Sequence, residues 1–486
     1  MINCFIPFYS LSQIKSTLKV LKQCAQIKNI YLLAAGKIAD VVEGCKILTI
    51  ESLSSTATYR TIVQHTDTDY TLFYTRYTTF EPGLFAIERL LNIAEDTNAG
   101  MLYADRYLTK DGNIEPAPLI DYQMGSLRDD FDFGSLLFFR SSVLKQAVQT
   151  MDVDYHFAGL YDLRLRISEL SELLHINEYL YSEEKTDIRK SGEKLFDYVN
   201  PKNREVQIEM EAACTAYLKR IGAYLTPTFK PISFDQGNFK MEASVIIPVR
   251  NRIRTIEDAI HSVLTQKTTF RFNLIIVDNH STDGTSEIIE KYTADKRVIH
   301  LIPKRTDLGI GGCWNLGVHH PACGKFVIQL DSDDVYSGPD TLQKIVNAFY
   351  EQNCAMVVGT YRMTDFKMNE IAPGIIDHQE WTPENGRNNA LRINGLGAPR
   401  AFYTPLLRTI NLPNTSYGED YALALRISRT WQIGRIYEVL YLCRRWEDNS
   451  DAALDLVKMN GHNTYKDRIR TWELQARISL NRHQLK

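Results

Sequence analysis

The sequence predicts an α/β protein built as two successive copies of one fold, each a mostly parallel sheet flanked by helices. Three observations carry this. Short apolar runs of strand length alternate with longer amphipathic runs along the chain, the pattern of a sheet covered by crossover helices. Segments recur at a constant spacing: Tyr161-Asp-Leu-Arg-Leu-Arg-Ile-Ser168 matches Tyr421-Ala-Leu-Ala-Leu-Arg-Ile-Ser428, and Ile176–Tyr181 matches Ile436–Tyr441. Both pairs lie 260 residues apart, so helix, connection and strand have equal lengths in the two halves. Finally, several apolar runs end in Pro, Gly, Asn or Asp clusters, and ligands sit at the carboxyl ends of strands in open α/β sheets.

In order, Asn3 to Phe8 reads as a strand, Leu11 to Gln26 as a helix and Ile30 to Ala34 as the next strand. Tyr70 to Tyr74 follows, then Pro82-Gly83 and an amphipathic helix from Leu84 to Asn98. Met101 to Ala104 and Leu136 to Arg140 are further strands. Asn200-Pro201 supplies a cap and a first-turn proline for a helix running to Ile221, stopped by Gly222. Thr226 to Ala243 has two prolines, a glycine and little periodicity, and is expected to link two domains while resting Phe229, Ile232, Phe234 and Phe239 on a surface.

The second half repeats the scheme. Ser244 to Pro248 is a strand, Thr255 to Gln266 a helix whose Thr255 and Asp258 suit a capping box, and Asn273 to Val277 a strand. Val298 to Ile302 precedes a glycine-rich stretch and a helix, Cys313 to His319. Phe326 to Leu330 is a buried strand that ends in Asp331-Ser332-Asp333-Asp334, before a helix from Asp340 to Tyr350. The tail, about Ala452 to Lys486, is expected to form a basic helix that docks on the first domain or on a membrane surface, with Trp472 buried in either case. The expected division is 1–199, a connecting helix and linker at 200–242, a second domain at 243–451, and the tail at 452–486.

Composition narrows the classes. A chain of 486 residues exceeds one ordinary core, and a net charge of −3 offers no basic excess for neutralising nucleic-acid phosphates. The eight cysteines include no Cys-x-x-Cys pair, which argues against a zinc site or disulfide framework and for a reducing compartment. No apolar run approaches the ~20 residues of a membrane span, and the first residues lack a basic, then apolar, leader pattern. The expectation is a cytoplasmic protein, with peripheral contact at the inner face of a membrane left open.

Asp331 and Asp333, separated by one residue, suit Mg²⁺ or Mn²⁺ completed by water and a nucleotide diphosphate. The repeat leaves the first copy without such acids: Tyr74-Thr75-Arg76-Tyr77 is the expected counterpart of 331–334, and Gly159-Leu160 that of Glu419-Asp420. Singly, each motif has a plainer structural reading: Asp278 caps a turn, and Glu419-Asp420 answers a helix dipole.

Taken together, five ordered motifs resemble the glycosyltransferase family 2 domain with its GT-A, nucleotide-diphospho-sugar transferase fold. They are the strand end Ile247-Pro248-Val249-Arg250-Asn251, the strand end Val277-Asp278-Asn279, the Gly309–Gly317 stretch, Asp331–Asp334 and Gly418-Glu419-Asp420. The first half is similar more faintly, through Ile6-Pro7-Phe8-Tyr9 and the repeats, as a degenerate copy. The resemblance implies an inverting, metal-dependent transferase that moves a sugar from a UDP- or GDP-sugar to a hydroxyl of a glycan or lipid-linked acceptor, as in polysaccharide biosynthesis. It implies that Pro248, Val249, Arg250, Asn251, Gly309 and Ser332 wall the nucleotide sugar and that Asp278 meets the base. It further implies that Asp331 lies near ribose and metal, that Asp333 ligates the metal, and that Asp420, beside Glu419, is the general base. Arg445 and Trp446, after the last shared strand, are expected at the diphosphate. One departure concerns the further metal-ligating His many relatives carry after the last strand: here that stretch reads Arg-Arg-Trp-Glu-Asp-Asn-Ser-Asp, and His462 comes later. A non-catalytic saccharide- or partner-binding protein is the alternative. A sugar nucleotidyltransferase ranks lower, because Val249-Arg250-Asn251-Arg252 lacks the glycine-rich loop such enzymes need.

Overall fold

The computed structural model describes residues 1–36, 42–185, 203–446 and 455–484. The described residues divide into two compact units: those within 1–192, 201–224 and 455–486 form the first, and those within 225–454 the second.

Each unit is organised on a nine-stranded sheet, and the two sheets have one strand order. In the second unit, Val298–Leu301, Phe272–Asp278, Ala243–Val249 and Phe326–Gln329 lie side by side in parallel. Arg400–Tyr403 joins antiparallel, followed by Met356–Thr364, Ile433–Arg444 and the short Val335–Tyr336, with Glu370–Ile376 beside Met356–Thr364. The sheets are thus mixed, parallel over the strands that alternate with helices and largely antiparallel beyond them. The first unit runs Lys46–Ile50, Ile27–Ala35, Ile2–Pro7, Tyr70–Tyr74, Leu136–Arg140, Met101–Lys110, Leu173–Glu184 and Phe80–Pro82 in the same order, with Asn113–Ala117 off Met101–Lys110.

The central strands read as near-continuous apolar runs because both faces are covered. Val245, Ile247, Leu274, Ile276, Phe326 and Ile328 lie in one core with Ile256, Ile260 and Val263 of the helix Ile256–Leu264. The linker packs as expected: Phe234 meets Phe326, Tyr350 and Tyr403 at ring-centroid distances of 5.2–5.3 Å.

Three local expectations change. The Thr255/Asp258 capping box does not form; no side chain caps that helix, and the Asp258 carboxylate instead accepts a 2.6 Å bond from Arg444 Nη1. An ion pair with a buried guanidinium outcompetes a local cap. The register of the first unit moves the expected correspondence by one residue. The helices Ser141–Gln149 and Thr404–Ile410 begin with equivalent bonds, Ser141 N to Asp69 O and Thr404 N to Lys325 O. Counting on from Asp69 and Lys325 sets Thr75, not Tyr74, against Asp331. Lastly, Trp472 in the C-terminal helix Leu456–Gln484 is 55% exposed. That helix turns Lys466, Arg470, Glu473 and Arg477 inward, an i, i+4, i+7, i+11 face, and Trp472 falls opposite. The inward charges are paired, Arg470 with Asp467 and Arg477 with Glu473, and Ser126 Oγ donates to Asp467 Oδ2 at 2.8 Å. The Asn200-Pro201 helix start lies outside the described residues; the helix itself runs Arg204–Arg220. Among the described residues no helix is long and apolar enough to cross a membrane.

Candidate active site

The strand Phe326–Gln329 is wholly buried and the chain leaves the sheet after Leu330. The strand Ile433–Arg444 clamps the exit: Asp331 N donates to the Tyr441 hydroxyl at 3.0 Å, Arg444 N to Asp334 Oδ1 at 2.7 Å, and Arg444 Nε to the Asp333 carbonyl. Asp334 N closes the turn on Asp331 O at 3.2 Å. Four residues carrying three acids are thereby fixed at the carboxyl edge of the sheet.

A cavity of about 530 Å³ opens over that edge. Pro248, Val249, Arg250, Asp331, Ser332, Asp333, Glu419, Asp420 and Arg445 line it, so nine of the residues singled out from sequence converge there. Gly418, in the left-handed region at φ 78°, turns the chain into the helix Glu419–Ser428, whose first turn presents both acids. Beside it the helix Ile310–His319 contributes Ile310, Cys313 and Trp314 to the wall. Its glycines are required by contact: a Cβ at Gly311 would lie 1.9 Å from the Pro413 carbonyl oxygen, and one at Gly309 within 2.6 Å of Thr415 backbone.

The acids are connected. Asp331 Oδ1 accepts a 2.9 Å bond from Gln329 Nε2, and Gln329 Oε1 accepts one of 3.3 Å from Arg400 N. Arg400 Nη1 reaches Asp420 Oδ2 at 2.6 Å and the Leu396 carbonyl at 2.6 Å, while Asp420 Oδ1 accepts from Tyr421 N at 2.7 Å. Asp333 Oδ2 takes a 3.3 Å bond from Trp446 Nε1 and lies 3.8 Å from Arg252 Nε. Burial raises the Asp331 carboxyl above its ordinary value against the pull of Arg400 and Gln329, and the Asp333 charge adds to the rise. Asp334 is pushed well up by burial and by the charges of Asp333 and Asp331. Burial, then the charge of Asp420, pushes Glu419 up to about 8.

Asn251, Asp278, Gly309 and Trp446 do not line the cavity. Asp278 is fully buried and its carboxylate accepts from Ser281 N at 3.0 Å, from Ser286 Oγ, and from His300 Nε2 at 3.4 Å. Burial works against its charge, yet these donors outweigh it and hold the carboxyl well below the usual range. Asn251, at φ 53°, pins the neighbouring turn, its Oδ1 accepting from Thr282 N at 2.8 Å and its N donating to Ser281 Oγ at 3.0 Å. Gly309 N donates to Asn414 Oδ1 at 2.8 Å. Trp446 stands behind Asp333, with Arg254 over its ring at 4.9 Å.

Residues without a sequence assignment also contribute. Asn279, the residue after Asp278, lines the cavity; its Nδ2 donates to Leu308 O at 2.8 Å, and its Oδ1 is buried with no partner among the described residues. Gln329 and Arg400 are also on the wall. A polar Gln inside an otherwise apolar strand was the available signal for the first; Arg400 ends the glycine-rich stretch Asn394–Arg400, whose composition suits a sugar-binding loop or a structural one and does not single out the arginine.

In the first unit the equivalent strand ends are filled from within. Arg106 Nε and Arg76 Nη1 lie 2.6 and 3.2 Å from Glu183 Oε1, Arg106 Nη2 reaches Asp132 Oδ2 at 2.8 Å, and Tyr74 and Ser135 hydroxyls donate to Glu183 Oε2. Glu183 and Arg106 are both buried.

Residues 244–407 match the family model "Glycosyl transferase family 2". An uncharacterized glycosyltransferase of Rickettsia felis is 28% identical over 330 residues, 63% of this chain and 51% of that protein, and one of Rickettsia conorii is 30% identical with the same coverage. A putative teichuronic acid biosynthesis glycosyltransferase of Bacillus subtilis is 36% identical over 126 residues, 26% of this chain and 49% of that protein. The chain spans about half the length of these curated relatives. Among solved structures, S. aureus TarS with UDP-GlcNAc is 21% identical, over 47% of this chain and 70% of that one, at a TM-score of 0.37. The stretch that carries the clamped acids, the glycine-bearing helix and Arg400 is thus the part of the chain that matches the glycosyl transferase family 2.

Proposed function

We propose that the second unit is an inverting glycosyltransferase that takes a sugar from a nucleoside-diphosphate donor to an acceptor hydroxyl. The observation that carries the reading is the meeting of Asp331 and Asp333 with Asp420 around one 530 Å³ cavity. Asp420 is the general base: as the acceptor oxygen bonds to the anomeric carbon, its proton passes to Asp420 and the bond from that carbon to the diphosphate oxygen breaks. Attack opposite the leaving group inverts the anomeric centre.

A divalent cation fits the strand-end acids. Asp331 and Asp334 are crowded carboxyls whose charged forms a cation would favour. No three metal-ligating side chains converge among the described residues, so water and the diphosphate are needed to complete the shell, as Mg²⁺ and Mn²⁺ accept. Bound between Asp331 and Asp333, the ion would neutralise the departing diphosphate. Arg445 and Arg250 line the same cavity and supply further positive charge for it. Asn279, rather than the sealed Asp278, has an acceptor atom for a nucleobase N–H. A carboxyl held protonated near neutral pH suits Glu419 to donate a hydrogen bond to a substrate oxygen.

The experiment is incubation of the full chain with labelled UDP- and GDP-sugars, with and without EDTA. Release of sugar or its transfer, lost in EDTA and in Asp333→Ala, is the expected result. Binding of a saccharide with no donor turnover supports the alternative of a non-catalytic saccharide-binding protein, and synthesis of a donor from a sugar phosphate supports a nucleotidyltransferase.

A further inference from the structure

We propose that Arg400 and Gln329 are positioning residues that lock the base Asp420 to the strand-end acids, so that donor and acceptor chemistry share one register. The inference rests on the reading of Asp420 as base.

The chain of contacts is continuous: Asp331 to Gln329 at 2.9 Å, Gln329 to the Arg400 backbone at 3.3 Å, and Arg400 to Asp420 at 2.6 Å. An ion pair between free surface side chains contributes little, because two flexible chains must be held in one geometry. Here that entropy is already lost. The Arg400 backbone belongs to the strand Arg400–Tyr403, and Nη1 is anchored a second time on Leu396 O at 2.6 Å. Gln329 is 3% exposed and its amide is oriented by having to donate at one end and accept at the other. Neither a carboxylate nor a hydrocarbon can do both.

The arrangement fixes both oxygens of Asp420, one on its own helix through Tyr421 N and one on Arg400. A base held this way keeps its angle to the acceptor through turnover, and misplacement by about 1 Å is worth about 10²-fold in rate.

Donor hydrolysis of UDP- and GDP-sugars by the full-length protein tests this, water standing for the acceptor. Arg400→Gln is expected to lose about 10²-fold in kcat with little change in donor KM. Arg400→Lys can still donate to Asp420 and should restore part of kcat, and Gln329→Met should lower kcat with donor KM likewise little changed. In an Asp420→Asn background, Arg400→Gln should add nothing, since both act through one carboxylate. If Asp420→Asn is inactive while Arg400→Gln and Gln329→Met hydrolyse at the wild-type rate, the positioning role is overturned and the base assignment stands. Equal losses from Arg400→Gln in both backgrounds also overturn it, as a merely structural arginine behaves so. If Asp420→Asn keeps full activity, the base assignment falls and this inference falls with it.

Discussion

Asp420 and Glu419 are adjacent in sequence yet their surroundings differ. Asp420 has an arginine at 2.6 Å, whereas Glu419 is 8% exposed with Oε2 unpartnered among the described residues. Asp420→Asn keeps shape and hydrogen bonding but cannot take a proton, so kcat should fall by about 10²–10⁴ while donor affinity, read by titration calorimetry, survives. Glu419 makes a pH statement of its own. Its folded value of about 8 lies above the ordinary 4.5, so between these pH values the unfolded chain has released a proton that the native state still holds. Stability falls as pH rises through that window and levels off above it. The expected outcome is that Glu419→Gln removes this slope: its thermal midpoint should match the wild type near pH 4.5 and exceed it near pH 8.

One close approach shapes the cavity wall at the level of elements. The helix Ile310–His319 sits against the loop before Gly418, with no room for a methyl group at Gly311, 1.9 Å from Pro413 O. Gly311→Ala should therefore cost about 1–3 kcal/mol from overpacking and displace the wall that carries Ile310 and Trp314. Calorimetric melting and donor KM check this together; an unchanged midpoint would mean that the loop yields freely. The Asp258–Arg444 pair shows the same precedence of tertiary over local chemistry. Thr255 and Asp258 have capping-box spacing, but Arg444 is 1% exposed and its Nη1 is 2.6 Å from Asp258, and a buried cation without its partner is costly.

Among the described residues one topology occurs twice and the strand-end acids of 331–334 once. Where the second unit offers Asp331 and Asp333, the first has a closed network of Glu183, Arg106 and Arg76. The expectation is that the first unit neither holds a divalent ion nor turns over a donor. The full-length Asp333→Ala/Asp420→Asn double variant should then hydrolyse no UDP- or GDP-sugar; residual turnover in Mn²⁺ would reveal a second working site. The C-terminal helix belongs to the first unit, with Asp467, Arg470 and Arg477 fully buried. Truncation after residue 454 should strip Ser126 and Arg128 of Asp467 and destabilise that unit, which amide exchange would register as lost protection around 123–131.

The alternation, the 260-residue repeat and the acidic strand end were legible in the amino-acid order, because each is a local property: periodicity, spacing and the identity of neighbours. They sufficed for two α/β units and for nine residues of the cavity wall. Only the tertiary structure decided the rest. Asp278 and Asn279 are equivalent as letters, and the fold turns one onto His300 and Ser281 and the other onto the cavity. The inward face of the C-terminal helix is charged, so its periodicity pointed Trp472 the wrong way until its acids and bases were paired. Arg400 meets Asp420 because Arg400–Tyr403 pairs with Phe326–Gln329 in the sheet. A contact of that kind is set by which strands adjoin, and no local pattern encodes it.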